Sequence, residues 1–338
     1  MIPQEKSSAV TRGLREAFGV TDFEGIRKMT RGHTLVFRII VRGSPFLLKI
    51  ILRPNSVNPQ REFVCMKAAA DAGLAPHVRY TSTEDGISIT DFVEEVPFPV
   101  TKALVEMPAA LRTLHALPPF PRAENHINTT CTFLMNKGPA LDGFLQGFRS
   151  KHLTKEENEE LFAWHSQLAA VYPRHDADMV SSHNDLFKPD NILFDGNRVW
   201  LVDWEAAFLN DRYADLAAVG NFVVTNEADE RVCLQEYFGQ PPDEYQRARF
   251  FFMQQVVHMF YTMGFLFQGS SDEPVIQTEK TPEFKVFHQR MWAGDVDLKD
   301  KATRIVFGRV HWEQLVKNMQ RPRFSEVVRI ISDRHSRS

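Results

Sequence analysis

The segment Ser182-His183-Asn184-Asp185-Leu186-Phe187-Lys188-Pro189-Asp190-Asn191-Ile192-Leu193-Phe194-Asp195-Gly196 constrains this chain more than any other. It sets a cluster of polar and ionisable residues before an apolar run. That run turns at Asp195-Gly196 and returns through Val199-Trp200-Leu201-Val202 to Asp203. The two runs read as a short hairpin that delivers a second carboxylate. A carboxylate directly after a buried strand costs desolvation unless a cation or hydrogen-bond donor meets it.

The rest of the chain falls into two unequal parts. Residues 1–20 have the spacing of a short amphipathic helix, with Val10, Leu14, Ala17 and Phe18 on one side. Residues 23–52 predict strands. Thr34 to Val41 is β-branched and aromatic, Arg42-Gly43-Ser44 turns, and Pro45 to Leu52 runs back. A helix follows, with Asn58 as N-cap, Pro59 in its first turn and Gly73 closing it. Two more strands are expected near Val78 to Thr81 and Gly86 to Asp91. From Asp91 to Pro97 the pattern breaks, and beyond it helical periodicity dominates apart from the hairpin. Pro118 to Arg122 predicts a loop, and residues 333–338 a frayed tail. The expected class is α+β, with a β-rich lobe over 1–93 and a larger, mainly helical lobe over 94–338.

Composition excludes several functions. With 40 basic and 43 acidic residues the net charge is −3, which gives no electrostatic case for nucleic acid or a membrane surface. Cys65, Cys131 and Cys233 have neither CxxC nor Cys/His spacing, so neither a disulfide framework nor a zinc site is expected. The N-terminus lacks the apolar run of a signal peptide. The most apolar segment, Phe250 to Phe267, contains Gln254, Gln255 and His258, which favours a buried helix over a membrane span. The expected location is the cytoplasm.

The chemistry-bearing positions make a set that phosphoryl transfer requires. Asp185 is the candidate base for an acceptor hydroxyl. Asp203 is a candidate Mg²⁺ ligand, and Asn191 or its neighbour Asp190 the second. His183 reads as a buried brace. Lys49 lies in the strand Phe46 to Leu52, on one face with Leu47 and Ile51. A lysine there either contacts ATP phosphates, oriented by Glu62 on the following helix, or sits on an edge strand with its head in solvent. Gly32, in Thr30-Arg31-Gly32-His33-Thr34, sits where a loop could fold over phosphates or simply turn a hairpin. Glu205, two residues after Asp203, either meets a cationic substrate or pairs with an arginine such as Arg212. Tyr261 belongs to an aromatic-rich stretch that could supply a cation–π surface, though aromatics at this spacing also build cores.

Together these residues resemble the aminoglycoside phosphotransferase/choline kinase family, strongly over 181–222 and diffusely over 23–270. The resemblance implies a two-lobed protein-kinase-like fold, with a small antiparallel N-terminal sheet and a large helical C-terminal lobe. It implies ATP and Mg²⁺ as cofactors, Lys49 on the phosphates with Glu62 as partner, Asp185 as base, and Asn191 and Asp203 on the metal. Asp91, Phe92 and Val93 become the hinge beside adenine. Arg112 to His115 matches a helix motif expected to pack in the core. The family usually places four residues between catalytic Asp and metal-binding Asn; here there are five, and Asp190 takes the usual Asn spacing. The stretch from Asp203 to Phe222 looks like the choline/ethanolamine kinase side of the family. It implies a small alcohol acceptor carrying positive charge. An aminoglycoside, homoserine or a sugar is the alternative acceptor, and a non-catalytic nucleotide-binding protein a more distant one.

Overall fold

A computed structural model describes residues 2–29, 34–52, 59–122, 150–173, 178–187, 189–268 and 280–335. Helix α1 (Gln4–Phe18) lies on an antiparallel sheet of β1 (Gly25–Lys28), β2 (Thr34–Val41), β3 (Ser44–Ile51), β4 (Val78–Ser82) and β5 (Ile87–Asp91). The strand order is β1-β2-β3-β5-β4. Arg42 and Gly43, both at positive φ, turn β2 into β3, so that Val41 pairs with Ser44 and Thr34 with Ile51. Alternation then sorts side chains into two cores. Leu48 and Ile50 of β3 join Phe37, Ile39, Ile87 and Ile89 against Ala9, Val10 and Leu14 of α1. Lys49 and Ile51 point the other way, and Ile51 belongs to the larger core. Lys49 is therefore on the middle strand of five, not an edge.

Helix α2 (Pro59–Asp71) interrupts the sheet between β3 and β4, and its apolar side chains Phe63, Cys65, Met66 and Ala69 join the larger core. Gly73, at φ 74°, sits just past its end in the left-handed conformation that glycine adopts without cost. The expected N-cap Asn58 lies outside the described residues. Residues 92–99 connect β5 to α3 (Val100–His115). Val96 N–H donates to the Phe194 carbonyl at 2.7 Å, and the Phe98 ring stacks on Phe194 with centroids 4.8 Å apart. The connector is thus fastened to the hairpin singled out from the sequence.

That hairpin is β7 (Ile192–Phe194) with β8 (Val199–Leu201), and a second pair joins β6 (Met179–Ser182) to β9 (Phe208–Asp211). The described helices around them are α3, α4 (Lys155–Val171), α5 (Arg212–Val223), α6 (Glu227–Phe238), α7 (Glu244–Gln268), α8 (Phe284–Trp292), α9 (Lys301–Met319) and α10 (Pro322–His335). Helix α7 packs against α5, α9 and α10 and contains the apolar stretch expected to be buried; Phe250, Phe252 and Met253 are inaccessible. Gly220 lets α5 approach it, since a Cβ there would lie 2.3 Å from the Phe250 ring. No described helix is long and apolar enough to cross a membrane. Cys65 and Cys233 are free, buried thiols, both pushed up to about 12 by burial; Cys131 lies outside the described residues. The tail differs from expectation. Helix α10 continues through residues 333–335, one turn beyond its last buried anchor, Ile331.

Helices α7, α8 and α9 bring His258, His288 and His311 together in the core. His258 Nδ1 lies 2.9 Å from His311 Nδ1, so one donates and the other accepts, which forbids protonating both. Neither ring nitrogen of His288 has a partner. Burial pushes His258 and His288 down to about 3, and His311 well below the usual imidazole range. The unfolded chain takes up these protons near pH 6.5, and the folded chain does not until the pH is far lower. Stability is therefore complete above that value and lost as pH falls toward 3, with a limiting slope of about 1.4 kcal/mol per pH unit for each histidine. Urea midpoints measured at stepped pH should fall steadily below about pH 6, and His288→Leu should reduce the slope by about a third. A midpoint unchanged between about pH 7 and 5 would contradict a neutral, buried cluster.

Candidate active site

Lys49 on β3 and Glu62 on α2 meet because the strand's second face and the helix's buried face point at the same cleft. Lys49 Nζ donates to Glu62 Oε1 at 2.7 Å and to Asp203 Oδ1 at 2.8 Å. Glu62 is 2% exposed and Lys49 9%. Burial works against the ammonium, but the carboxylates of Asp203 and Glu62 outweigh it and hold Lys49 well above the usual lysine range. A strand, the helix after it and a loop 154 residues beyond Lys49 converge on one charge.

Asp203 follows β8 at φ 66°, a left-handed conformation that ends the strand and starts a short 3-10 turn at Trp204–Ala206. Trp204 is buried and anchors that turn, its indole N–H donating to the Leu201 carbonyl. Val202 N–H donates to the Asn191 carbonyl, which ties the Asp203 side of the hairpin to the other side. Asn191 Nδ2 donates to both the carbonyl and Oδ2 of Asp185, each at 2.7 Å. Asn191 is buried and Asp190 exposed. Of the two residues left open by spacing, Asn191 is the one beside Asp185.

Beneath Asp185 the backbone is held by a residue that sequence reasoning did not select as a site. Asp215, on α5 and 1% exposed, accepts from the N–H groups of His183 and Asn184, both at 2.8 Å. Burial pushes this carboxyl up, but hydrogen bonding and charge from His115, together with His183, hold it below the usual range. His115 Nε2 lies 3.3 Å from Asp215, and His115 Nδ1 lies 2.6 Å from the Tyr237 hydroxyl. The helix motif expected to pack apolar core therefore also carries a polar link. Asn184, at φ 67°, donates to the Ala206 carbonyl and accepts from Asn210 Nδ2 at 2.6 Å. His183 is inaccessible, donates through Nε2 to the Val202 carbonyl at 2.9 Å, and rests against Trp204. The available signal for Asp215 was its type and place: an aspartate inside the apolar run Tyr213 to Val219 is rarely buried unless paired.

The remaining expected residues are distributed as follows. The Glu205 side chain reaches solvent from a crowded cleft. Partial burial, then repulsion from Asp203, Glu62 and Asp185, pushes its carboxyl up, with Lys49 opposing. Arg212, the alternative partner for Glu205, has its Nε 3.6 Å from Asp178. Asp91 ends β5, its carboxylate held by Arg79 at 2.7 and 3.1 Å and its N–H by the His77 carbonyl. Phe92 lies under the Arg38 guanidinium, and Val93 continues the connector. Tyr261 does not offer an open aromatic face: it is 6% exposed, packed on Phe187, Phe307 and His311. It forms the floor under the Asp185 loop, because the α7 face that carries it turns into the core. Gly32 lies outside the described residues.

Four carboxylates, Glu62, Asp185, Asp203 and Glu205, thus share a cleft with Lys49 and with Arg61, whose Nη2 donates to the Glu205 carbonyl at 2.9 Å. The surplus negative charge, with carboxylate and carboxamide oxygens as donors, fits a hard divalent cation. Among the described residues no group of three or more His, Cys, Asp or Glu side chains makes a closed metal site. A cation held by Asp203 and Asn191 would complete its shell with water or ligand oxygens.

The sequence profile of the phosphotransferase enzyme family matches residues 30–251. The chain belongs to this family. Each expected site residue except Tyr261 falls inside the matched segment. Solved structures with a similar fold include a choline/ethanolamine kinase family protein from Mesorhizobium loti, at 19% identity and TM-score 0.66, covering 96% of this chain and 99% of that one. The choline kinase LicA from Streptococcus pneumoniae is 14% identical, with TM-score 0.57 and coverage of 94% and 99%. The macrolide 2'-phosphotransferase MphH from Brachybacterium faecium is 18% identical, with TM-score 0.56 and coverage of 78% and 94%. No curated protein sequence matches the chain. The expected family and the two-lobed α+β kinase-like fold are those found, and the expected enzyme class, a small-molecule kinase, follows from the family.

Proposed function

We propose that this phosphotransferase uses ATP and Mg²⁺ to phosphorylate the hydroxyl of a small cationic alcohol of the choline or ethanolamine type. The observation that carries the kinase chemistry is the double ion pair of Lys49 with Glu62 and Asp203, set beside the Asn191–Asp185 contact. Lys49 is held charged and oriented for phosphate oxygens. Asp203 and Asn191 supply the oxygens for the metal, which when bound neutralises phosphate charge. Asp185, steadied by Asn191, accepts the proton of the acceptor hydroxyl. The connector at Asp91 to Val93 borders the adenine site, with residues 1–93 as the nucleotide-binding lobe. Retention of all these groups argues against a non-catalytic nucleotide binder.

Glu205 supports the acceptor class. A carboxylate among three others, next to where phosphates bind, is unfavourable unless a cation lies between. A substrate ammonium is such a cation, and similar folds belong to choline kinases. Similar folds also belong to antibiotic phosphotransferases, which keeps an aminoglycoside as the second acceptor. ATP consumption should be measured with choline, ethanolamine, homoserine, a neutral sugar and an aminoglycoside. Choline or ethanolamine should be used best. Glu205→Gln should raise the acceptor KM about tenfold with little change in ATP KM. Best use of a neutral alcohol, or an unchanged acceptor KM in the variant, would refute the cationic assignment.

A further inference from the structure

Helix α2 reaches the metal loop by a route that does not pass through Lys49. Arg61, one residue before Glu62, is 9% exposed and donates from Nη2 to the backbone carbonyl of Glu205 at 2.9 Å. Its guanidinium lies 5.9 Å from the Phe208 ring. One turn on, Cys65 Sγ lies 3.8 Å from the Ala207 carbonyl, and the same helix face packs against the turn at Trp204–Ala206. Three bodies are therefore joined in a triangle. Lys49–Glu62 joins β3 to α2, Lys49–Asp203 joins β3 to the loop, and Arg61–Glu205 joins α2 to the loop.

The third side differs from the other two. A charged donor on a carbonyl is a stronger bond than a neutral one, and it remains when phosphates draw the ammonium of Lys49 away from its carboxylates. A planar guanidinium also fixes direction as an ammonium does not. Burying such a group costs desolvation, which outweighs the opposing charge of neighbours such as Glu62 and lowers its proton affinity. A methionine or leucine would pack there at no such cost.

We propose that Arg61 is a positioning residue that locks α2 to the Asp203 loop, so that Glu62, Lys49 and Asp203 keep their mutual geometry while nucleotide is bound. This rests on the proposed kinase function. It assigns Arg61 no contact with substrate.

The test uses the full chain, with Mg-ATP titrated in the absence of acceptor and turnover measured with the best acceptor of the panel. Arg61→Met keeps an unbranched apolar stem and removes the donors. It should weaken Mg-ATP binding and lower kcat, each about tenfold, while acceptor KM moves less than about threefold. Arg61→Lys should recover part of both losses. In a double-mutant cycle, Lys49→Met should cost markedly less in the Arg61→Met background than in the wild type. If Arg61→Met is too unstable to assay, Arg61→Lys and Arg61→Gln carry the same comparison. Wild-type binding and turnover in Arg61→Met would overturn the inference and leave the kinase reading intact. So would strict additivity, or a loss of thermal stability with unchanged kinetics. A wild-type protein that neither binds nor consumes ATP would take down the kinase reading and this inference together.

Discussion

Asp203→Ala should reduce phosphoryl transfer by at least about 1000-fold, close to the limit of detection, while the chain stays folded. Positioning and charge neutralisation are nearly all of catalysis in this chemistry, and in the proposed mechanism Asp203 contributes to both. It is the carboxylate at the end of the hairpin, and together with Glu62 it holds Lys49. The fold should survive because Lys49 keeps Glu62 at 2.7 Å and because Trp204, not Asp203, anchors the turn. Some stability will be lost: at φ 66° an alanine is strained by about 1 kcal/mol, which asparagine tolerates better. Asp203→Asn therefore separates the two effects. It should recover thermal stability but not activity. Circular dichroism and turnover measured together decide the matter. Activity of either folded variant within tenfold of wild type would remove Asp203 from the chemistry.

What could be read from the sequence was local and periodic. The hairpin at 192–201 was legible because its strands are short apolar runs bounded by Asp195-Gly196 and Asp203. That Lys49 shares a face with Ile51 followed from period-two alternation, though not that this face lines the cleft, and burial of Phe250 to Phe267 followed from its composition. What could not be read depends on contacts between distant segments. Asp215 reaches back to the N–H groups of His183 and Asn184, and Arg61 reaches forward to the carbonyl of Glu205; neither bond has a periodic trace. Spacing pointed to Asp190, whereas the apolar run Ile192-Leu193-Phe194 that follows pointed to Asn191. Only the 3-10 turn at Pro189–Asn191 decides which side chain faces inward. Tyr261 was ambiguous because aromatics surround α7 on several sides, and its exposure is set by α9, which supplies Phe307 and His311 from far along the chain. Arg212 was a reasonable partner for Glu205 by proximity in sequence, but its Nε lies beside Asp178, across the β6–β9 pair.

The same long-range bonds shape the expected behaviour of Asp185. Asp185→Asn should lower kcat by about 100- to 10,000-fold, the range of a lost general base, with ATP KM within about threefold of wild type. In the proposed mechanism the lost function lies on the acceptor side, so the nucleotide binding proposed for Lys49, Glu62 and Asp203 should persist. The substitution is also mild for the structure. The Asp185 carbonyl still accepts from Asn191, and the loop is held from below through the N–H groups of His183 and Asn184, which do not depend on the Asp185 side chain. The carboxamide oxygen that the substitution introduces can take over the bond that Oδ2 of Asp185 now accepts. A contrast with Asn191→Ala sharpens the test. That variant removes both the steadying contact and a proposed metal oxygen, so it should raise the Mg²⁺ requirement, whereas Asp190→Ala, altering an exposed side chain, should not. A collapse of ATP affinity in Asp185→Asn would instead make Asp185 a metal ligand or a structural group. If Asp190→Ala raised the Mg²⁺ requirement more than Asn191→Ala, the metal would belong to Asp190, and the inward-facing amide would serve only to hold the loop.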